Sequence, residues 1–408
     1  MWTPQLHNLE KGYSFMKLVG IDIGKNSHFF SIINKDDGAL LHEPTRFTNN
    51  KEGFDFLVNA LKHYPKDSLM IGMEDTGHYH FNLLKYLLSI GYPVALINPV
   101  ATNLTRKLQG GITKNDKLDT ITICDVLSSS NRAKSYRITM VDKFDLYEQK
   151  QLTRQHHNLK EELNIYANRL QKSIDLVFPE FNSLFKSKYG IVYMNVLKTF
   201  GSAEEIANTD IRTIRKCFET GRGKRISLTA EELKEAAKAS IGMSSIAEVI
   251  NIKHIIGLIE LINEQIDEID KRIEEFSLAN NSPILSIPGI SHFSGTSILS
   301  ELGSIGNYTK PSQVIKYAGV APLHYESSQF NAPHTAITKK GSKYLRKTLY
   351  QIILPVIKHN EVFTKYYQLK ISQGKGHLCA EGHCIRKLLR VIFQLLKTNQ
   401  QFDPALLR

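Results

Sequence analysis

The sequence contains few cysteines and no long apolar run. Only 4 Cys occur among 408 residues, and they do not form the paired framework of a disulfide-rich secreted domain. No apolar stretch approaches the roughly 20 residues that cross a bilayer, and the first residues lack the charged-then-apolar layout of a signal peptide. We therefore expect a cytoplasmic protein that has no membrane partner.

Acidic residues are scarce in the last third of the chain. The whole chain has 52 Lys+Arg and 40 Asp+Glu, a formal net charge of +12. From residue 281 onward there are 16 basic and 5 acidic side chains, so +11 of that charge lies in residues 281–408. A solvated basic surface is one explanation, and a domain that lies against phosphates is the one we favour. We expect a polyanionic partner.

The first 135 residues alternate between strand-like and helix-like patterns. Strands are predicted at 17–23, 28–34, 40–48, 68–74 and 93–97, with helices after the third and later strands. Three leading strands followed by alternating helices and strands is the order of an RNase H-like (RuvC-like) α/β domain. We assign this domain to residues 16–135. Met16, directly before the first strand, is an alternative start of the chain.

Residues 136–280 have the pattern of a helical connector. Apolar residues recur at steps of three and four along a charged helix near 159–174, and again along a second helix. The second series forms a heptad seam that consists of Ile252, Ile255, Ile259, Ile262, Ile266, Ile269, Ile273 and Phe276. Two such helices are able to form an antiparallel coiled coil or a dimer contact.

Residues 281–408 are predicted to form a mostly α-helical domain. The segment 285–290 (LSIPGI) resembles a helix-hairpin-helix turn, in which a glycine lets backbone amides approach a DNA phosphate. A plain Pro-Gly turn between two helices fits the same letters. The densest basic cluster is predicted to bind nucleic acid and comprises Lys339, Lys340, Lys343, Arg346 and Lys347.

A His/Cys group in the same domain has a different interpretation. Its members are His377, Cys379, His383 and Cys384. Their spacing matches no usual zinc pattern, and the surrounding letters are typical of a helix that enters a core. We therefore expect structural packing here rather than a metal site.

Four carboxylates stand where predicted elements end or begin. Asp22 and Glu74 lie at the ends of predicted strands, whereas Asp116 and Asp119 lie three residues apart on one face of a helix start. Hard cations take oxygen ligands, and two Mg²⁺ ions are able to activate an attacking oxygen and stabilise a leaving one. Each residue alone has a structural alternative as a strand end, a turn cap, an N-cap or a first-turn acid. Together they predict a Mg²⁺ site, with Mn²⁺ as an alternative cation.

Several ordered motifs resemble one family across both terminal domains. GIDIGKNS, the stretch 73–100 (beginning MEDTGHYH) and KNDKLDTITICDVL resemble the RuvC-like domain of the DEDD insertion-sequence transposases of the IS-one-ten type. Relatives of this family include the pilin-gene invertases. LSIPGI, YAGVAPLHYESS and ITKKGSKYLRKTLYQ resemble the C-terminal transposase domain of the same family.

The resemblance implies a DNA transposase that cuts with a serine and leaves a phosphoserine link. By motif position, the metal-binding tetrad would be Asp22, Glu74, Asp116 and Asp119. Ser327, in HYESS, matches the catalytic serine, and Ser328 stands where a glycine commonly follows it in the family. Ser328 is therefore the alternative nucleophile. The serine and the carboxylates lie about 200 residues apart in the sequence, so the site is expected to be composite.

The resemblance also implies partners and a cellular place. A structured noncoding guide RNA would pair with target and donor DNA, and homodimers would assemble into tetramers. The protein would be associated with the bacterial nucleoid. The heptad seam offers one physical route to such oligomers.

Three other functions compete with the recombinase. A hydrolytic RuvC-like nuclease or Holliday-junction resolvase shares the carboxylates and needs no Ser327, but it has no use for the C-terminal motifs. An actin-like ATP-binding kinase also opens with D-x-G, but it needs a second phosphate loop that the sequence lacks. A nucleic-acid-binding module with a decayed site is the third alternative, against which the intact tetrad argues.

Overall fold

The computed structural model describes residues 17–75, 77–108, 115–128, 138–141, 145–186, 188–219, 227–323, 326–327, 330–331 and 336–406. For 138–141, 145, 326–327 and 330–331 the description covers the backbone alone. The predicted start at Met16, the side chain of Ser327 and all of Ser328 lie outside it.

A six-stranded mixed sheet organises the N-terminal part. Its strands are β1 (Lys17–Asp22), β2 (Ser27–Asn34), β3 (Leu40–Thr48), β4 (Leu69–Glu74), β5 (Val94–Ile97) and β6 (Ile138–Val141), in the order β3-β2-β1-β4-β5-β6. The first three strands are antiparallel, β1, β4 and β5 are parallel, and β6 is antiparallel to β5. This is the arrangement of an RNase H-like sheet, so that prediction is confirmed.

Four helices accompany this sheet, namely α1 (Lys51–Leu61), α2 (Phe81–Ser89), α3 (Pro99–Leu108) and α4 (Asp116–Ser128). Asn50 caps α1, because its side chain accepts a hydrogen bond from the Gly53 amide at 2.9 Å. The central strands are buried on both faces, which explains their almost continuous apolar sequences.

The described residues fall into two compact units. One comprises residues up to Gln151 together with those from Ser277 onward, and the other is Leu152–Phe276. The middle helices and the C-terminal helices each have a hydrophobic core of their own, and the sheet has two, one of which includes buried residues of α4. The predicted division at 16–135, 136–280 and 281–408 stays a prediction.

The middle unit consists of helices. These are α5 (Asp145–Val177), α6 (Phe181–Leu184), α7 (Ile191–Thr199), α8 (Ala203–Asn208), α9 (Ile211–Lys216), α10 (Ala230–Lys238) and α11 (Ile246–Asn280), of which α5 and α11 extend into the other unit. Asn251 Nδ2 donates to Ser173 Oγ at 2.9 Å, and His156 Nε2 lies 3.3 Å from Asp270 Oδ1. The earlier residue of α5 contacts the later residue of α11, and the later residue of α5 contacts the earlier one. The two helices are therefore antiparallel.

The heptad seam lies along one buried face of α11. All seven isoleucines are at most 6% exposed, and Phe276 is half-buried. The apolar series is therefore largely covered within a single chain. A knobs-into-holes coiled coil and a dimer contact through this helix stay predictions.

The C-terminal part packs its helices around its own core. They are α12 (His292–Leu302), α13 (Pro311–Tyr317), α14 (Lys343–His359), α15 (Glu361–Ser372) and α16 (His377–Thr398), and the short strands β7 (Glu326–Ser327) and β8 (Phe330–Asn331) lie between α13 and α14. No helix in the described part of the chain has the length and apolar character needed to traverse a bilayer.

Gly289 in the LSIPGI segment has a packing role in the structure. Its φ is +97°, and a Cβ at this position would stand 2.7 Å from the backbone nitrogen of Val356 in α14. The glycine thus permits close approach of the chain's own backbone. A contact from this turn to a DNA phosphate stays a prediction.

Candidate active site

Two of the four predicted carboxylates end neighbouring parallel strands. Asp22 is the last residue of β1 and Glu74 the last of β4, and Ile21 is in register with Met73. Because parallel strands end at the same edge of a sheet, Asp22 and Glu74 stand side by side at the carboxyl edge of β1 and β4. Both residues are half-buried.

Helix α4 brings the other two carboxylates to that edge. Near its start, the Thr120 carbonyl lies against Gly20 of β1, and further along, Cys124 Sγ–H donates to the Leu18 carbonyl at 3.6 Å. Helix α4 therefore runs antiparallel to β1. The first turn of α4, with Asp116 and Asp119, lies at the end of β1 that carries Asp22.

Glycine makes this close packing possible. A Cβ on Gly20 would stand 2.0 Å from the Thr120 carbonyl oxygen, and one on Gly72 would stand 2.7 Å from a Leu127 methyl carbon. The two glycines are in register on β1 and β4. Together they form a shallow groove in the sheet that receives α4.

Gly20→Ala is expected to lower the free energy of unfolding by about 3 kcal/mol, because the new methyl displaces backbone rather than a flexible side chain. The shift of α4 would also move Asp119 and slow any reaction that depends on it. Urea unfolding followed by circular dichroism measures the first effect. Gly257→Ala is the matched control, because a Cβ there meets nothing within 4 Å; equal stabilities of the two variants would contradict the packing account.

One structural alternative for these carboxylates is excluded, namely Asp116 as the N-cap of α4, whereas Asp22 does end β1 and Asp119 does lie in the first turn of α4. Asn115, rather than Asp116, occupies the cap of α4, since its side chain accepts from the Lys117 amide at 3.0 Å and its carbonyl from the Asp119 amide. Glu74 accepts a hydrogen bond from the Thr102 hydroxyl of α3. Asp116 is exposed at the edge and is not needed for capping.

Asp119 is a buried carboxylate paired with a cation of the protein. Its side chain is 6% exposed, and Arg106 of α3 contacts Oδ1 through Nη2 at 2.6 Å and Nε at 3.0 Å. Converging charge-assisted hydrogen bonds of this kind offset the desolvation of the carboxylate. Helix α3 therefore contacts two of the four carboxylates, through Thr102 and Arg106.

The donor chemistry at this edge fits a hard divalent cation. All four side chains offer oxygen, and the buried Asp119 already holds a positive group. Among the described residues, however, no three His, Cys, Asp or Glu side chains converge closely enough to hold a metal ion. The structure thus gathers the tetrad at one edge without closing it into a coordination shell.

The predicted serine lies on a hairpin between α13 and α14. Strands β7 and β8 are antiparallel, with Ser327 paired to Phe330. At the base of the hairpin, where the chain leaves α13 and returns to α14, two backbone hydrogen bonds join its arms. The Thr338 amide donates to the Ala321 carbonyl at 2.9 Å, and the Lys339 amide donates to the Gly319 carbonyl at 3.0 Å. Ser327 therefore ends the outgoing strand, at the far end of the hairpin from its base.

The base of this hairpin is held by Arg346, which belongs to the basic cluster that the sequence predicts to bind nucleic acid. Arg346 Nη1 donates to the Ala318 carbonyl at 3.3 Å and the Lys339 carbonyl at 3.2 Å, so it bridges both arms. Arg346 and Lys347 are half-buried, whereas Lys339, Lys340 and Lys343 are exposed. The predicted basic cluster thus contains three exposed lysines and one bridging arginine.

Arg346→Ala is expected to slow DNA cleavage at least tenfold while leaving the salt dependence of DNA binding unchanged, because it loosens the arms that carry Ser327. Lys343→Ala should instead change the salt dependence of DNA binding and leave the rate of cleavage of bound DNA nearly unchanged. If Lys343 contacts a phosphate, its loss reduces the slope of log affinity against log salt by about 0.9. Salt titrations of DNA binding and single-turnover cleavage separate the two, and a reduced salt slope in Arg346→Ala would contradict the bridging role.

The His/Cys group forms no metal cluster among the described residues. Cys384 is buried in the core, Cys379 is exposed, and the His377 ring is hydrogen-bonded to the Tyr367 hydroxyl at 2.5 Å. Burial raises the pKa of the Cys384 thiol to about 11. Cys384 therefore packs in the C-terminal core, and the expectation that the group as a whole holds no metal stays a prediction.

Sequence reasoning missed Thr102 and Arg106. They lie four residues apart on one face of α3, which is a recognisable spacing for residues that act together. Their carboxylate partners are separated from them by as many as 28 residues, and only the folded sheet brings them into contact.

The fold and the carboxylate edge define an RNase H-like domain joined to a helical domain that carries a serine hairpin. A DEDD transposase family model matches residues 19–179, and the model described as the transposase IS116/IS110/IS902 family matches residues 281–368. The chain therefore belongs to the IS110 type of transposases. It is accordingly an enzyme of DNA transposition or recombination.

Named relatives match this chain over nearly its whole length. The pilin gene-inverting protein of Moraxella lacunata is 22% identical, with 95% of this chain and 98% of the relative covered. A mini-circle protein for IS117 of Streptomyces coelicolor is 21% identical, with 94% of each chain covered. Among solved structures, Thermus thermophilus RuvC with a Holliday junction superposes with a TM-score of 0.23 at 12% identity, covering 31% of this chain and 99% of that chain.

Proposed function

We propose that this transposase cuts and rejoins DNA by serine chemistry that depends on a divalent cation. The observation that carries the proposal is the meeting of Asp22, Glu74 and the first turn of α4 at one edge of the sheet. Three separate elements supply these carboxylates, and Asn115 rather than Asp116 caps α4. Mg²⁺ is the proposed cation, and Mn²⁺ offers the same oxygen preference.

Ser327 is the proposed nucleophile. Its Oγ attacks a backbone phosphorus and forms a phosphoserine bond, while the bond from phosphorus to one sugar oxygen breaks and its electron pair goes to that oxygen. The serine proton passes to a base, and the leaving oxygen takes up a proton. Attack by a strand hydroxyl on the phosphoserine then joins the new ends and restores the serine.

The tetrad of Asp22, Glu74, Asp116 and Asp119 would hold the cation. When bound, a divalent cation neutralises phosphate charge and stabilises the attacking and leaving oxygens. The protein's own contribution is to fix the carboxylates from the rigid ends of β1, β4 and α4, since reacting groups lose their advantage when they are misplaced by about 1 Å.

The proposed partners are target and donor DNA, a structured noncoding guide RNA, and further copies of this chain as dimers and tetramers. The basic C-terminal residues support binding of polyanions, and the family resemblance supports the RNA and the oligomer. The relative's name, pilin gene-inverting protein, supports rearrangement of DNA rather than its degradation.

A strand-exchange assay tests this function. Purified protein is mixed with its flanking noncoding transcript and with donor and target duplexes, in Mg²⁺ or in EDTA. We expect joined products in Mg²⁺ with the transcript and none in EDTA. Cut ends without joined products, with or without RNA, would instead indicate a hydrolytic nuclease. Joined products that do not require the transcript would overturn RNA guidance alone.

A further inference from the structure

Helix α3 has its faces reversed relative to an ordinary surface helix. Val100, Leu104 and Leu108 recur every four residues and are 63%, 46% and 88% exposed. The opposite side carries Thr102, which is buried, and Arg106, which is half-buried. Burying a polar side chain is costly unless it finds a hydrogen-bond partner. The inward side chains of α3 are therefore expected to have specific polar partners in the interior.

Thr102 and Arg106 each hydrogen-bond to only one of the two oxygens of a carboxylate. The Thr102 hydroxyl has Glu74 Oε1 and the Pro99 carbonyl, at 3.0 Å, as its acceptors. Arg106 directs Nη2 and Nε to the same oxygen of Asp119, Oδ1. Within the described residues, no hydrogen bond or ion pair involves Glu74 Oε2 or Asp119 Oδ2. One oxygen of each carboxylate is thus left for a cation.

We infer that Thr102 and Arg106 are positioning residues that set the divalent-cation affinity of this edge in opposite directions. The inference rests on the proposed function, since it concerns the same carboxylates. Thr102 favours the cation by fixing Glu74, whereas Arg106 disfavours it by supplying a rival positive charge at Asp119. Helix α3 would then keep the free protein weakly loaded with metal.

The effect of Thr102 follows from its hydrogen bond. A neutral hydroxyl orients the carboxylate without neutralising it, and groups that orient metal ligands typically change metal affinity by about 10- to 100-fold. Thr102→Val keeps the shape of the side chain and removes the donor. Glu74 would then sample more rotamers, so divalent cations should bind about tenfold more weakly.

The effect of Arg106 follows from its charge. The guanidinium and a divalent cation would both lie beside a 6%-exposed carboxylate, where low dielectric strengthens their mutual repulsion. Arg106→Gln retains a donor for Asp119 and removes the positive charge. Divalent cations should therefore bind about tenfold more tightly, because the remaining carboxylate charge has no internal counterion.

Manganese titration of the full chain without DNA tests this inference, with free Mn²⁺ measured by electron paramagnetic resonance. We expect the dissociation constant to rise about tenfold in Thr102→Val and to fall about tenfold in Arg106→Gln. Arg106→Lys should stay within about threefold of the unsubstituted chain, because the charge remains. Lys107→Gln is the matched control, since this exposed neighbour loses the same charge without a carboxylate contact.

Melting curves give a second readout that tolerates a loss of stability. Without metal, Arg106→Gln should melt lower than the unsubstituted chain, because a buried carboxylate has lost its charged partner. Saturating Mg²⁺ should then raise its melting temperature more than that of the unsubstituted chain. Equal Mg²⁺-induced shifts in both chains would overturn the role of Arg106.

The outcomes separate this inference from the proposed function. If the unsubstituted chain binds Mn²⁺, Asp119→Asn weakens that binding, and Arg106→Gln behaves like Lys107→Gln, the inference fails while the metal site stands. If Arg106→Gln and Thr102→Val both weaken Mn²⁺ binding, α3 orients the carboxylates but does not oppose the cation. That result would overturn the claim that the two residues change the cation affinity in opposite directions. If the unsubstituted chain binds no Mn²⁺, both proposals fail together.

Discussion

Replacing Asp22 by Asn is expected to slow DNA strand cleavage at least a thousandfold while leaving the fold intact. Asp22 ends β1 beside Glu74, at the end of the strand where the first turn of α4 lies, so its carboxylate stands next to the other three proposed ligands. The amide has the same shape but lacks the negative charge that a hard cation needs. A thousandfold loss corresponds to about 4 kcal/mol of transition-state stabilisation.

Single-turnover cleavage of a labelled duplex in Mg²⁺ measures this loss, and thermal melting checks the fold. Asp36→Asn is the matched control, because Asp36 is exposed in the turn between β2 and β3 and lies away from the carboxyl edge. We expect the control to cut at the unsubstituted rate. An Asp22→Asn protein that keeps more than a tenth of the rate would contradict the metal role of this edge.

Replacing Ser327 by Ala is expected to abolish strand joining, with a fall of at least about ten thousandfold, while DNA and Mn²⁺ bind as before. Removal of the nucleophile eliminates the covalent intermediate, and removing a nucleophile of this kind costs several orders of magnitude in other enzymes. The carboxylates remain, so metal binding is a sensitive control for the integrity of the site.

Ser328→Ala is the matched control for Ser327, since it removes the same hydroxyl one residue later. We expect it to join strands within about threefold of the unsubstituted rate. Quantification of joined products on sequencing gels compares the two variants. The reverse pattern, with loss only in Ser328→Ala, would transfer the nucleophile to Ser328 and leave the rest of the account in place.

Much of the N-terminal fold is predictable because its signals are local. The strand at Lys17–Asp22 is buried on both faces, so its sequence is a short apolar run bounded by polar residues. Asn50 precedes an amphipathic segment and caps α1 through its own side chain. The isoleucines of α11 repeat at helical spacing, and their burial follows from that period.

The contacts that organise the site are not local and escape sequence analysis. Helix α3 exposes Leu104 and turns Arg106 inward, the reverse of what its apolar spacing predicts, because a buried carboxylate on α4 attracts the guanidinium. Arg346 belongs to a basic cluster by sequence but bridges two carbonyls across the hairpin. Each of these roles depends on a partner that only the tertiary fold supplies.

The most direct test of the serine chemistry is to identify the residue that becomes covalently bound to DNA. Reactions with a radiolabelled donor duplex would be quenched in denaturant, digested with protease and nuclease, and analysed by mass spectrometry. We predict a nucleotide-linked peptide modified at Ser327, dependent on Mg²⁺ and lost in both Ser327→Ala and Asp22→Ala. Cleaved DNA with no linked peptide, persisting in Ser327→Ala and lost in Asp22→Ala, would establish a hydrolytic nuclease and contradict serine-mediated strand transfer.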